Sequence, residues 1–163
     1  MSFTGASILS IEQFSLDDVE RIFAVADQMQ PFANRERVTK ALDGAILGNI
    51  FLEPSTRTRI SFGSAFNLLG GHVRETSDIS SSAFVKGESL QDSARILSGY
   101  SDIICLRHPT SGSVEKFAKY SRVPVINGGD GANEHPTQAL LDLFTIKKEL
   151  RAKNRDINNL RIA

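Results

Sequence analysis

The sequence has only one cysteine and no excess of charge of either sign, and each of these features excludes a class of protein. A lone cysteine, Cys105, cannot form an internal disulfide, which excludes disulfide-stapled secreted scaffolds and favours a reducing, cytoplasmic setting. Nineteen basic residues balance 19 acidic ones, so the net charge predicts neither nucleic acid nor an anionic membrane as a partner. There is no membrane-length apolar run and no secretory signal, so we expect a soluble protein in which any anion binding is local.

Short apolar runs alternate with amphipathic stretches along the 163 residues, a length that suits one ordinary domain. A first helix is expected to begin at Ser15 and to end near Pro31. Strands are predicted at residues 46–52, 72–75, 102–106 and 123–126, and helices at residues 56–69, 89–98, 113–121 and 136–150. Because helices separate the strands, the pattern predicts an α/β fold with a parallel sheet of about four strands and helices on both faces.

The C-terminal end of the sequence favours a chain that continues. The helix expected from Pro136 has apolar residues on more than one face, so it is expected to need a second packing partner. Residues 160–163 read as the opening of another strand, for which a short last edge strand is the alternative. The expected division is residues 1–150 as one domain and residues 151–163 as a linker and the start of a missing second domain.

The stretch of residues 53–59 joins the first predicted strand to an amphipathic helix and is rich in groups that bind phosphate. Hydroxyls come from Ser55, Thr56 and Thr58. Arg57 adds a forked guanidinium, and the first turn of a helix has unpaired backbone N–H groups with partial positive charge. The stretch therefore predicts an anion site. The alternative is that Ser55 only caps the helix and the arginines are solvated.

Polar clusters also follow the other predicted strands, at residues 76–88, 107–109 and 127–138. Because ligands of parallel sheets bind at the carboxyl ends of the strands, these clusters are expected to share one site. Arg107 should point toward the same mouth as Arg57, and two guanidiniums suit a dianion. The alternative for Arg107 is a surface arginine at a strand end.

His135 precedes Pro136, a residue favoured in the first helical turn, so its imidazole is expected at a helix N-terminus after a glycine-rich turn at residues 128–131. The positive helix end disfavours imidazolium, and a neutral imidazole can donate one hydrogen bond to a carbonyl oxygen. Gln138, one turn along, offers an amide to the same ligand. The alternative is a histidine that caps its own helix. No metal-ligand spacing is present among the cysteine and histidines.

The serine-rich stretch of residues 76–88 predicts a long mobile loop. A lysine on such a loop, here Lys86, can close over an anion. A disordered, solvated loop with Lys86 in water is the alternative.

Four motifs together resemble the carbamoyl-phosphate-binding half of aspartate transcarbamoylase catalytic chains: Ser-Thr-Arg-Thr-Arg at 55–59, Lys-Gly-Glu-Ser at 86–89, Arg-His-Pro at 107–109 and His-Pro-Thr-Gln at 135–138. The first and last motifs also belong, with variations, to ornithine transcarbamoylases. Two further motifs, Lys-Gly-Glu-Ser and Asn-Gly-Gly-Asp-Gly at residues 127–131, resemble those of the aspartate enzymes rather than those of the ornithine enzymes.

The resemblance implies a role for each matching residue. Ser55, Thr56, Arg57, Thr58 and Arg107 would contact the phosphate. Thr58, Arg107 and His135 would surround the carbonyl oxygen, Gln138 would contact the carbamoyl amide, and Glu53 would orient the arginines. Among these, the residues with a catalytic role would be Arg57, Thr58, Arg107, His135, Gln138 and Lys86. In the family, the residues matching Ser82 and Lys86 reach into the neighbouring subunit's site, which implies a homotrimer with shared active sites.

The resemblance also implies a reaction. The parent enzyme would transfer the carbamoyl group of carbamoyl phosphate to L-aspartate, giving N-carbamoyl-L-aspartate and phosphate in pyrimidine biosynthesis, with no cofactor or metal. The family builds its aspartate site mainly from a second domain, so this chain alone is expected to be inactive. No nucleophile paired with a base is present, which favours direct transfer. The alternatives are a noncatalytic carbamoyl-phosphate-binding or trimer-assembly module, or a fragment of an ornithine transcarbamoylase. Regulatory or other pyrimidine-pathway chains are further candidate partners.

Overall fold

The computed structural model describes residues 2–76 and 88–155, in which strands and helices alternate. A short 3-10 helix, Ile11–Gln13, precedes the main elements. These elements are α1 (Leu16–Ala33), β1 (Ile46–Phe51), α2 (Thr56–Leu68), β2 (His72–Thr76), α3 (Leu90–Leu97), β3 (Ile103–His108), α4 (Ser113–Ala118), β4 (Val125–Asp130) and α5 (Pro136–Ala152).

The strands form one parallel four-stranded sheet in the order β2-β1-β3-β4. In the central register, Gly48 of β1 pairs with Arg74 of β2 and with Ile104 of β3. The connection from β1 through α2 to β2 runs toward one edge of the sheet, whereas β3 through α4 to β4 runs toward the other. The strand order therefore reverses between β1 and β3, and parallel sheets bind ligands beside the carboxyl ends of the strands at such a point.

Helices cover both faces of the sheet, as predicted. On one face, α3 and α4 contribute Ala94, Val114 and Phe117 to a core whose sheet residues are Ile50, Ile104, Leu106 and Val125. On the other face, α2 packs Phe62 and Phe66 against Leu47, Phe51 and Cys105. Helix α1 contacts α2, and its Phe23 packs edge-on against Phe144 of α5 with 5.3 Å between ring centroids. Burial raises the pKa of the Cys105 thiol, which is therefore an unreactive core group.

Strand β4 differs from the prediction, because it continues through Gly128 and Gly129 to Asp130, where a glycine-rich turn was expected. Pairing explains the difference: Asp130 pairs with His108 of β3, and residues 7–9 run along the other side of β4. The Asn127 N–H donates to the Ile8 carbonyl across 2.8 Å. Strand neighbours distant in sequence thus override the low strand preference of glycine. Strand β3 is also longer than predicted and includes Arg107.

Helix ends agree closely with the sequence pattern. Ser15 caps α1 through a capping box with Asp18, as its position predicts. The helix ends two residues beyond Pro31, at Ala33, because Pro31 lies in the last turn, where its missing N–H removes a single intrahelical bond. No helix in residues 2–76 and 88–155 is both long and apolar enough to cross a bilayer.

The predicted domain division stays a prediction. Helix α5 continues past residue 150 to Ala152, and residues 156–163 lie outside the described part of the chain. On α5, Leu141 is 57% exposed, so part of the broad apolar band has no cover within the described residues.

Candidate functional site

A cavity of about 910 Å³ lies at the carboxyl ends of β1 and β3, where the strand order reverses. Its walls come from the start of α2, the end of β3 and the first turns of α5. The lining residues are Pro54, Ser55, Thr56, Arg57, Thr58, Ser61, Phe62, Ala65, Arg107, His135, Thr137, Gln138 and Leu141. The structure thus brings together the predicted residues of three separate motifs.

The start of α2 presents backbone donors to this cavity. The first intrahelical bond runs from the Arg59 N–H to the Ser55 carbonyl across 3.1 Å, so the N–H groups of residues 56–58 precede the helical ladder. Ser55 occupies the N-cap position, but its side chain makes no capping hydrogen bond. The alternative in which Ser55 merely caps the helix is therefore not what the structure shows. Its hydroxyl lines the cavity instead.

The two arginines of the motif point in different directions. Arg57 is exposed and lines the cavity. Arg59 turns away from it, and its Nη1 forms an ion pair with Glu75 Oε2 of β2 at 2.9 Å. Residues two apart on an α-helix lie about 200° apart around the axis, so they cannot serve the same surface.

Arg107 is held from two sides in the cavity wall. Its Nη2 donates to Glu53 Oε1 across 3.2 Å, and its Nη1 donates to the Gly128 carbonyl across 3.1 Å. The side chain is 19% exposed, and its Nε is buried without a partner among the described residues. Glu53 therefore orients Arg107, as the family resemblance implied for the arginines, and the fixed fork faces a cavity large enough for a small anion.

His135 occupies the N-cap position of α5, but its side chain makes no capping hydrogen bond. Its Nδ1 lies 3.3 Å from Thr137 Oγ1. Burial lowers the pKa of His135, and the positive charge of Arg107 lowers it further, against an opposing effect of Asp142. Both effects favour the neutral imidazole, the form that the sequence predicted from the helix end, but the causes found here are burial and Arg107.

Gln138 is held by a neighbour that the sequence reasoning missed. Its Nε2 donates to Asp142 Oδ1, one turn along α5, across 2.9 Å. Because the amide nitrogen is engaged, the side-chain oxygen is the atom suited to accept a hydrogen bond from a ligand. The i, i+4 spacing of the two residues was the signal that could have identified the pair.

Asp130 supports the loop that leads to His135 and was also missed. It is only 1% exposed, and it accepts hydrogen bonds from the N–H groups of Gly112 and Glu134 across 2.7 and 2.9 Å. Burial by itself would raise the pKa of Asp130, but these backbone donors, with Asn127 and Asn133, lower it below its usual value. The carboxylate therefore connects the end of β4 to the starts of α4 and α5.

Two predicted site residues, Ser82 and Lys86, lie outside the described residues. Within residues 2–76 and 88–155, no group of three or more histidine, cysteine or acidic side chains is arranged to hold a metal ion.

Comparison with protein families gives a match over residues 6–148 to the aspartate/ornithine carbamoyltransferase, carbamoyl-P binding domain. Aspartate carbamoyltransferase catalytic subunits of Cellvibrio japonicus and Saccharophagus degradans are 71% and 70% identical over all 163 residues. The chain spans about half the length of these curated relatives, 48% of each.

Solved structures show the same similarity. The aspartate transcarbamoylase of Trypanosoma cruzi in complex with carbamoyl aspartate and phosphate superimposes with a TM-score of 0.84 at 41% identity, over 90% of this chain and 45% of that one. The same enzyme in complex with carbamoyl phosphate also gives a TM-score of 0.84, at 41% identity over 90% of this chain and 45% of that one.

Proposed function

The chain belongs to the aspartate/ornithine carbamoyltransferase family through its carbamoyl-phosphate-binding domain, and from this membership we propose that the parent protein is an aspartate carbamoyltransferase. It transfers the carbamoyl group of carbamoyl phosphate to the amine of L-aspartate and releases phosphate. The described chain supplies the carbamoyl-phosphate half of that site.

The observation that carries the proposal is the convergence of four kinds of group on one cavity. A helix N-terminus with hydroxyls, a fixed arginine, a neutral histidine and a side-chain amide all line it. Carbamoyl phosphate presents a dianionic phosphate, a carbonyl oxygen and an NH2 group. Each part of the substrate therefore has a chemically matched group in the cavity.

The phosphate binds at the start of α2. Backbone N–H groups of residues 56–58 donate to its oxygens, and Arg57 adds an exposed, charged donor. The hydroxyls of Ser55, Thr56 and Thr58 complete this set. The same contacts stabilise phosphate as it leaves, because its negative charge increases when the carbamoyl–oxygen bond breaks.

The carbonyl oxygen binds among Arg107, His135 and Thr58. As the aspartate amine attacks the carbonyl carbon, this oxygen gains negative charge, and fixed donors around it lower the barrier. His135 is suited to this task because a neutral imidazole still carries one N–H. The Gln138 oxygen accepts from the carbamoyl NH2.

The transfer is direct. The amine nitrogen forms the new C–N bond while the C–O bond to phosphate breaks. Phosphate departs with the electron pair of that bond and takes the proton that the amine loses. The residues that bind aspartate lie mainly in a second domain. We further propose a cytoplasmic homotrimer acting in pyrimidine biosynthesis, in which Ser82 and Lys86 reach a neighbouring subunit's site.

A second candidate function is a carbamoyl-phosphate-binding module without turnover. The chain spans 48% of the length of the relatives that it matches, and the groups described at the cavity match the parts of carbamoyl phosphate. On this view the chain binds the first substrate but carbamoylates nothing until it is joined to the remainder of the enzyme.

Calorimetric titration with carbamoyl phosphate, with oligomeric mass determined on the same sample, tests the proposal. We expect saturable binding. An intact trimer that binds no carbamoyl phosphate would contradict it. With the full-length parent, carbamoylation of aspartate but not ornithine is expected, and the reverse preference would instead support an ornithine enzyme.

A further inference from the structure

We propose that Asn49, Arg59 and Glu75, here called the α2 anchor, form a positioning network that fixes the first turn of α2 for anion binding. Arg59 belongs to the phosphate motif by sequence, but on this view it binds no ligand and acts through the position of the helix. The inference rests on the proposed function only for the identity of the anion as the phosphate of a substrate.

The anchor joins three elements of the fold. Asn49, in the middle of β1, donates through Nδ2 to the Arg59 carbonyl of α2 across 3.0 Å and to Glu75 Oε1 of β2 across 3.2 Å. The Arg59 guanidinium closes the network on the other carboxylate oxygen of Glu75, at 2.9 Å. One strand therefore holds both the backbone of the helix and the partner of its arginine.

Asn49 is an unusual residue for its position, which indicates a specific role. It is fully buried between Gly48 and Ile50 in a strand that is otherwise apolar, and asparagine is disfavoured in strands. Its Oδ1 has no partner among the described residues, so the fold carries the cost of one unsatisfied acceptor. The two hydrogen bonds that Nδ2 donates offset this cost.

Gly63 allows the helix to approach this network closely. A Cβ at Gly63 would lie 3.3 Å from Glu75 Oε1 and 3.6 Å from Asn49 Nδ2. The first of these distances is tighter than ordinary van der Waals contact, so a side chain at Gly63 would require the Glu75 carboxylate to move by a few tenths of an ångström. The anchor therefore sits directly beneath the backbone of the helix.

The position of the Arg59 carbonyl determines where the anion donors lie. The N–H groups of residues 56–58 occupy the same first turn as Arg59, and an α-helix moves as a rigid unit over one turn. Only the irregular residues 52–55 connect this turn to β1. A loss of the anchor thus lets the donors shift, and shifts of about 1 Å are enough to weaken a preorganised site severely.

The test is a titration of this chain with inorganic phosphate, followed through the amide NMR signals of residues 56–58. Arg59→Met is expected to weaken phosphate binding about tenfold, because the first turn loses its ion pair with Glu75 and keeps only the Asn49 bond to its backbone. Arg74→Met is the matched control. It removes the same charge from the neighbouring residue of β2, whose side chain lies on the opposite face of the sheet from that of Glu75. We expect it to change affinity less than about twofold, because distant exposed charges are screened.

Glu75→Gln separates positioning from direct binding. If Arg59 were itself a phosphate ligand, loss of the carboxylate charge would free its guanidinium, and phosphate would bind as well as before or more tightly. The anchor predicts weaker binding in Glu75→Gln, with partial recovery of Arg59→Met in Arg59→Lys because an ammonium can still pair with Glu75. Thermal melts of each variant check that the loss of affinity occurs in a folded protein.

The outcomes distinguish the two proposals. Equal affinity in Arg59→Met and Arg74→Met, or unchanged or tighter binding in Glu75→Gln, overturns the anchor and leaves the proposed function standing. Binding of phosphate but not of carbamoyl phosphate by the unaltered chain contradicts the proposed function alone. A chain that binds neither contradicts both.

Discussion

The guanidinium of Arg107 lies against the backbone of Gly129, in space that any other residue would fill. A Cβ at Gly129 would lie 2.7 Å from Arg107 Nη1, well inside contact distance. The same Nη1 donates to the carbonyl of Gly128, so the arginine rests on two consecutive residues of β4. Gly129 also has a φ of +117°, which residues with a side chain rarely adopt. Gly129 thus leaves the space in which the Arg107 guanidinium lies.

Gly129→Ala is expected to displace Arg107 and weaken carbamoyl phosphate binding at least about tenfold, since the contact geometry of the guanidinium is lost. The positive φ adds backbone strain of about 1–3 kcal/mol. Calorimetry and denaturant unfolding measure the two effects separately. Gly44→Ala is the control, because φ is +80° at Gly44 but no atom lies within 4 Å of the added Cβ. We expect this variant to lose stability but to keep its affinity for carbamoyl phosphate. Equal binding by the two variants would contradict the steric argument.

Arg57→Ala is expected to weaken carbamoyl phosphate binding about 10- to 100-fold, because charge-assisted bonds to phosphate are worth about 1.5–3 kcal/mol. Stability should change little, because the side chain is exposed. Arg122→Ala is the control, because it removes the same charge from the loop before β4, at the end of the sheet opposite to the cavity. Calorimetry on both variants checks the prediction, and unchanged affinity in Arg57→Ala would falsify the phosphate assignment.

Arg107→Ala is expected to raise the pKa of His135, because the positive charge of Arg107 is one of the two causes that lower it. Burial, the larger cause, remains, so the pKa should stay below the ordinary value of 6.5. An NMR titration of the imidazole Cε1–H measures the change. Arg57→Ala serves as the control, because Arg57 is not among the causes of this shift. A pKa that does not move in Arg107→Ala would mean that burial alone determines it.

The lowered pKa of His135 also makes the stability of the fold depend on pH. The folded-state pKa of His135 lies below the unfolded one, so the unfolded chain binds the proton more tightly. Acidification through the ordinary histidine range therefore lowers the free energy of unfolding. His135→Gln should remove this contribution, which denaturant unfolding at pH 7.5 and 5.5, pH values chosen on either side of that range, would detect.

Asp130→Asn is expected to destabilise the fold by about 2–3 kcal/mol, since an amide NH2 would face one of the backbone N–H donors that the carboxylate satisfies. The folded-state pKa of Asp130 is lowered, so its contribution is present above the ordinary value of 3.8 and is lost as the pH falls through the folded value. The difference between wild type and variant should therefore shrink in acid. Denaturant unfolding at neutral and acidic pH measures it. Asp17→Asn, an exposed change in the first turn of α1, provides the control. A difference independent of pH would contradict the role of the charge.

The sequence by itself determined the alternation of strands and helices and the starts of α1, α2 and α5. Caps, proline and apolar periodicity act within a few residues, so Ser15, the strand-to-helix change at Ser55 and Pro136 were sufficient signals. The sequence also predicted that the polar motifs lie together, because the carboxyl ends of parallel strands meet at the same edge of the sheet.

Only the tertiary structure decided which groups face the cavity. The direction of Arg57 toward it and of Arg59 toward Glu75 depends on how α2 is rotated against the sheet. The extension of β4 to Asp130 depends on its pairing with His108 of β3, 22 residues away. The buried Asn49 and Asp130 act through hydrogen bonds to residues that are distant in sequence and that the fold brings close. Such choices come from long-range packing and hydrogen bonding, which local propensities do not contain.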